Sequence, residues 1–354
     1  MKKSILFTAL ALATVLFSCK KEDDKPTPTP PGGGGTPSDH RVLVCNEGPF
    51  AAGTGTISLL NITTGESHHL VFEEANGFPL GNIVQSAHRY QDEVYVVVNN
   101  AGKIEVASAN NFVSVTTIEN LGQPRYMVSH DEKGYVSDWA SGGVHVVDMP
   151  SHTVTTTIET GPGPERLIVH DNNVWVANSG GFSTAQTVSV IDANAQSLSA
   201  TISVGDNPNS LVADADGHVR VLCRGVGSWP DPEAETAGSI WVLDATTNEV
   251  VTSLSFPSAT DHPSSLTTNS TGTVFYYLLG GNVYRMGIDD ANLPDEPWIE
   301  GSFYALGYHH EADVLLAGDA VDFQQDGVVR MYSPQGVQNG AYTAGVIPTF
   351  IMAW

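Results

Sequence analysis

The side chains of this sequence best suited to chemistry recur at equivalent places. Arg125 and Arg166 lie in Pro124-Arg125-Tyr126 and Pro164-Glu165-Arg166, and Arg224 follows the apolar run that ends at Cys223. Asn46, Asn99, Asp138, Asn178 and Asp319 end comparable runs. Guanidinium groups among neutral amides could orient a polar or phosphate-bearing ligand. The same amides and arginines serve equally well to bond backbone between neighbouring elements. Phe50, Phe182, Trp229 and Phe323 each sit in a longer polar segment, and Trp139 sits in a short one. Large aromatic surface beside a concave opening favours ligand burial, although an aromatic also packs down to stiffen its own loop.

Catalytic constellations are poor. His68-His69 are adjacent in a strand pattern and so point to opposite faces, unable to chelate one metal. His309-His310 and Asp214-Ala215-Asp216-Gly217 read as turns. The acidic stretch Asp289 to Glu296 could hold calcium. No serine has a nucleophile-elbow setting and no His/Cys set has metal spacing, so the expectation is a non-enzymatic protein with no catalytic residue, metal or cofactor.

What must position these residues is a repeat. One phrase recurs roughly every 42 residues. It is clearest in Pro164, Val174-Trp175-Val176-Ala177-Asn178 and Val188-Ser189-Val190-Ile191-Asp192. Short alternating runs closed by Gly, Asn, Asp and Pro, with no convincing helical period, predict an all-β chain: a seven-bladed β-propeller with four-stranded antiparallel blades. Seven third strands can be counted, beginning at Ile57, Ile104, Val144, Val188, Ile240, Val283 and Val328. The first copy, Arg41-Val42-Leu43-Val44, begins with a second-strand pattern and lacks an innermost strand. The C-terminal Val346 to Ile351 resembles that missing strand and is expected to pair with the N-terminal blade, closing the ring. Asp148, Asp192 and Asp244 each precede a polar turn and read as structural Asx-turn residues. Long second-to-third-strand loops, Gly48 to Gly55, Ser179 to Gln186, Gly225 to Gly238 and Asp319 to Gly327, would all open on one face, as binding insertions in repeats do.

The ends and the charge say where the protein works. Lys2-Lys3, the apolar run Ile5 to Phe17 and Leu16-Phe17-Ser18-Cys19 read as a lipoprotein signal over 1–19 with lipidation at Cys19. Residues 20–38 combine Lys20-Lys21-Glu22-Asp23-Asp24 with a Pro/Gly-rich tether reaching about 40 Å, and 39–354 forms the propeller. The Lys-Lys-acidic cluster resembles the surface-export tag of Bacteroidota-type lipoproteins, which implies a cell-surface protein on the outer membrane, held only by its lipid. A formal charge of −24 argues against nucleic-acid partners. Cys45 and Cys223 fall in distant blades and read as buried free thiols.

Val174 to Asn178 with Val188 to Asp192 resembles the YVTN/YncE-type propeller repeat. Val44-Cys45-Asn46-Glu47-Gly48, Ala75 to Gly81, Val98-Asn99-Asn100, Gly122 to Tyr126 and Ala177 to Gly181 are similar to a family of seven-bladed surface lipoproteins. That family includes cobamide-capturing proteins that partner TonB-dependent outer-membrane transporters, and relatives of similar shape capture ferric siderophores. The resemblance implies capture of a bulky nutrient, foremost a corrinoid, for delivery to such a transporter. The ligand would rest on the aromatic rim and meet Arg125, Arg166 or Arg224. A protein-binding scaffold or adhesin without a small ligand is the alternative.

Overall fold

A computed structural model describes residues 39–49 and 53–354. The expected signal and tether, Cys19 and Phe50 lie outside the described residues. Seven antiparallel sheets follow one another along the chain, as the period predicts. Second strands such as Glu93–Val98 and Asn173–Asn178 are buried along nearly their whole length, because neighbouring blades cover both faces. Outer strands such as Thr153–Glu159 are exposed and rich in threonine. The core is a series of layers between blades: Trp175, Ala177 and Val190 of blade four pack against Leu211, Val219 and Val221 of blade five.

The ring closes where the sequence places the join. The C-terminal strand Pro348–Ala353 pairs antiparallel with Arg41–Asn46, Val44 opposite Ile351 and Cys45 opposite Phe350. Trp354 then stacks on Phe112 of blade two at 5.3 Å and lies under Arg89 at 4.9 Å. The last residues therefore hold blade one and also touch the next blade.

Blade six is thinner than its neighbours, with three strands, Ser264–Thr268, Val274–Leu279 and Asn282–Gly287. Only the bridge Val283–Ile299 marks a fourth. Pro294 and Pro297 cannot donate to a ladder, and the acidic stretch loops out instead. Asp290 there accepts the Gly287 amide at 2.6 Å. Among the described residues no three His, Cys, Asp or Glu side chains converge as metal ligands, so calcium gains no support.

A six-residue helix, Val71–Asn76, is an addition that the strand pattern does not announce. It buries Val71 and Phe72, and Asn76 ties it to blade two by donating to Phe112 O and accepting from Ser114 N, each at 2.8 Å. His68 is exposed while His69 turns in to Ser58 Oγ at 3.2 Å, as alternation requires. Asp192 and Asp244 accept pairs of backbone amides in tight turns, and Cys45 and Cys223 are buried and free.

The polar residues that end second strands require a correction. Asn46, Asn99, Asp138 and Asn178 are buried and cannot reach a ligand. Asn46 donates to Thr56 Oγ1 and Ser58 Oγ, and Asn178 repeats this with Thr187 and Ser189. Asn99 donates to Pro124 O of the next blade at 3.0 Å. Asp138 accepts the amides of Gly122, Gln123, Ala140 and Ser141 and meets His145 at 3.3 Å. Asn99 ties blade two to blade three, while Asn46 and Asn178 join strands within their own blades and Asp138 holds the turns of blade three.

Two outcomes test this. Deleting Pro348 to Trp354 strips blade one of its inner strand and exposes the faces it covers; calorimetry should show loss of the single cooperative transition. Burial would raise the Asp138 carboxyl, but the His145 hydrogen bond and the amides outweigh it and hold it at about 2, below its ordinary 3.8. A depressed carboxyl stabilises the fold above its unfolded pKa and loses that contribution as pH falls through about 2. Asp138→Asn should cost about 2 kcal/mol at pH 7, and denaturant titrations at falling pH should show the gap closing below pH 3.8 toward 2.

Candidate functional site

The mouth of the central channel is built by one device used seven times. In every innermost strand the hydrogen-bond register skips one or two residues near the loop-rich face. The skipped residues include Gln85, Arg125 and Tyr126, Glu165 and Arg166, Asn209, Ser265, Tyr304 and Thr349, all of which line one cavity of about 370 Å³. A bulge re-aims the side chain it frees, so each blade turns polar groups into the channel where strict alternation would alternate polar and apolar.

Those groups are not equivalent. Arg125 donates from Nε and Nη2 to Glu165 at 3.0 and 2.8 Å and from Nη1 to Gln85. Trp139 Nε1 donates to the same carboxylate at 2.8 Å, and the guanidinium lies 4.2 Å from the Trp139 ring centroid. Burial would make Arg125 easier to deprotonate, but Glu165 outweighs it and shifts its pKa up. The chain Gln85–Arg125–Glu165–Trp139 spans blades two to four and is internally neutral. Arg166 instead rests against Tyr126 and Phe350, at 4.6 and 5.3 Å from their ring centroids. Among the described residues neither Arg166 nor Arg224 has an ion-pair partner. Across the mouth Glu47 accepts a long hydrogen bond of 3.4 Å from Tyr304, and burial raises its pKa.

Beside the mouth, sharing Arg224 and His262 with it, runs a cleft of about 660 Å³ between the loops of blades four and five. Phe182 and Trp229 line it and are 86% and 88% exposed. Phe182 stands edge-on to Trp139 at 5.4 Å. The blade-five loop is anchored: His262 bonds Glu235 at 2.9 Å and Arg224 O at 3.1 Å, and Thr236 donates to Asp206 at 2.7 Å.

The predicted residues thus divide. Arg125, Tyr126, Arg166 and Arg224 come together at the mouth; Phe182 and Trp229 form the cleft, and Trp139 joins the two. Phe323 is 51% exposed and stands edge-on to Tyr304, farther round the rim. Asp319 is a correction: it is tied to Arg330 at 3.1 Å and caps Val321, so it holds its own loop. Glu47, Gln85, His262 and Tyr304 escape the sequence reading. The signal available was position, since Gln85, Tyr304 and Thr349 each follow the first residue of an innermost strand as Arg125 does.

Comparison with known proteins adds the fold's relatives. A protein from Bacteroides fragilis, described as a candidate 6-phosphogluconolactonase, superposes with a TM-score of 0.65 at 13% identity, covering 90% of this chain and 99% of that one. A quinonprotein alcohol dehydrogenase-like protein from Bacteroides thetaiotaomicron gives 0.65 at 15%, covering 89% and 78%. Apo AztD from Citrobacter koseri gives 0.55 at 8%, covering 89% and 98%. At such identities the likeness shows the propeller alone. No curated protein matches in sequence. The family model described as domain of unknown function DUF5074 matches residues 41–312. By that match the chain belongs to the DUF5074 family.

Proposed function

We propose that this propeller captures a bulky small molecule on its loop-rich face without transforming it, foremost a corrinoid. The observation that carries the reading is the polar mouth opening sideways into a cleft with two almost fully exposed aromatics. Both volumes fall in the range of small-molecule sites, about 300–1,000 Å³. Nearly bare Phe182 and Trp229 face one cleft together, and a flat macrocycle would cover both rings. Glu165 is committed to Arg125 and Trp139, and His262 to Glu235 and a backbone carbonyl, which supports capture over catalysis.

The resemblance to surface lipoproteins supplies the setting of this proposal. A lipid on Cys19 would hold the chain at the outer membrane, and cargo would pass to a TonB-dependent transporter. Titration of the purified chain with cyanocobalamin in a calorimeter should give a dissociation constant of about a micromolar or tighter. Trp229→Ala and Phe182→Ala should each weaken it about tenfold, the worth of one buried aromatic contact. Absence of binding rules out the corrinoid, and unchanged affinity in both variants moves the site elsewhere.

A further inference from the structure

We infer that one arc of the mouth is an oxyanion subsite, in which Arg166 and Arg224, with the Ser264 and Ser265 hydroxyls, receive a phosphate-type group of the ligand. The inference deepens the capture reading and rests on the loop-rich face being a ligand site. It starts from charges that remain unmet. Of the three arginines lining the mouth, Arg125 is neutralised by Glu165. Arg166 and Arg224 line the same cavity with no ion-pair partner among the described residues. Arg166 is half-buried and held from behind by Tyr126 and Phe350, so its orientation is fixed before any ligand arrives. A guanidinium held between rings, whose neighbouring carboxylate Glu165 is taken by Arg125, is a donor fork waiting for an acceptor.

The arrangement also selects the kind of anion. The donors come from blades four, five and six, hence from different directions around the cavity. A tetrahedral phosphate offers oxygens to several directions at once, whereas a planar carboxylate is satisfied by one fork. Ser264 and Ser265 add hydroxyl donors along the same wall. On the opposite wall the Glu47 carboxylate, facing Thr349 and Tyr304, repels an anion. The phosphate is therefore pushed toward the arginines and away from blades one and seven.

The test is calorimetric titration with sodium phosphate, and separately sodium acetate, at fixed ionic strength. Phosphate should saturate with a dissociation constant on the order of a millimolar or tighter, and acetate should be clearly weaker. Arg166→Gln and Arg224→Gln should each weaken phosphate about tenfold. Arg224 is exposed, so its variant probes the site without cost to the fold. Glu47→Gln should strengthen phosphate severalfold, a gain that no merely structural role would produce. No saturable phosphate heat, equal affinity in Arg224→Gln, or acetate matching phosphate overturns the assignment. Corrinoid binding without phosphate binding would remove this subsite and leave capture standing. Phosphate binding without corrinoid binding would leave this subsite standing and rule out the corrinoid as the ligand.

Discussion

The pairing of Pro348–Ala353 with Arg41–Asn46 is the contact on which the rest of the molecule depends. Each blade buries its faces only against its neighbours, so an open ring would leave two faces wet at once. Closure also builds the site directly. Thr349 lines the mouth from the closing strand, Phe350 backs Arg166 from the same strand, and Glu47 follows the strand it pairs with. The hydrogen bonds of Glu47 and Gly48 to Ile347 O and Val346 O fix that corner. Fold stability and the geometry of the mouth are one construction.

Within the closed ring, the repeated bulge turns a scaffold into a lined opening. A slip of one residue exchanges the two faces of a strand, and here the slip is confined to the end nearest the loops. Beyond it, residues such as Met127, Leu167 and Leu211 return to the inter-blade core. Polar groups are thus concentrated at the mouth at little cost to packing. The number and identity of the freed residues differ from blade to blade, and with Arg224 and Glu47 from the ends of second strands they sort the charges: a neutral pair on one arc, open arginines on the next, a carboxylate opposite.

Architecture was legible because propeller blades write their strands locally. The third strands counted at Ile104, Val144, Val188 and Ile240 lie one residue inside the observed strands. Loop length and the face it opens on follow from chain order alone, which is why Phe182, Trp229 and the three arginines could be placed. Roles were less legible, because they depend on which side chains face one another in the folded chain rather than on position in the repeat. Asn46 and Asn178 looked like mouth residues, yet each faces a Thr-x-Ser at the start of the next strand, Thr56 and Ser58 or Thr187 and Ser189. That repeated pairing was visible in the sequence and would have marked both as internal. Gln85 and Tyr304 lack the preceding proline that flags Arg125. The helix Val71–Asn76 and the missing fourth strand of blade six are too irregular for any period to register them.

The mouth and the cleft differ in character, and their junction constrains what can bind. The mouth is ringed by groups that demand hydrogen bonds, while the cleft offers two bare rings and no charged side chain but Arg224. A small ion satisfies the first and leaves the rings wet; a plain hydrocarbon covers the rings and leaves guanidinium groups desolvated and unpaired, which is costly. Only a molecule with a broad apolar body and a polar or charged end meets both demands together. Specificity then comes from the penalty on partial occupants as much as from the contacts of the right one. The anchored loop of blade five matters to this argument, because His262–Glu235 and Thr236–Asp206 hold the cleft wall in place before a ligand arrives and so remove part of the ordering cost of binding.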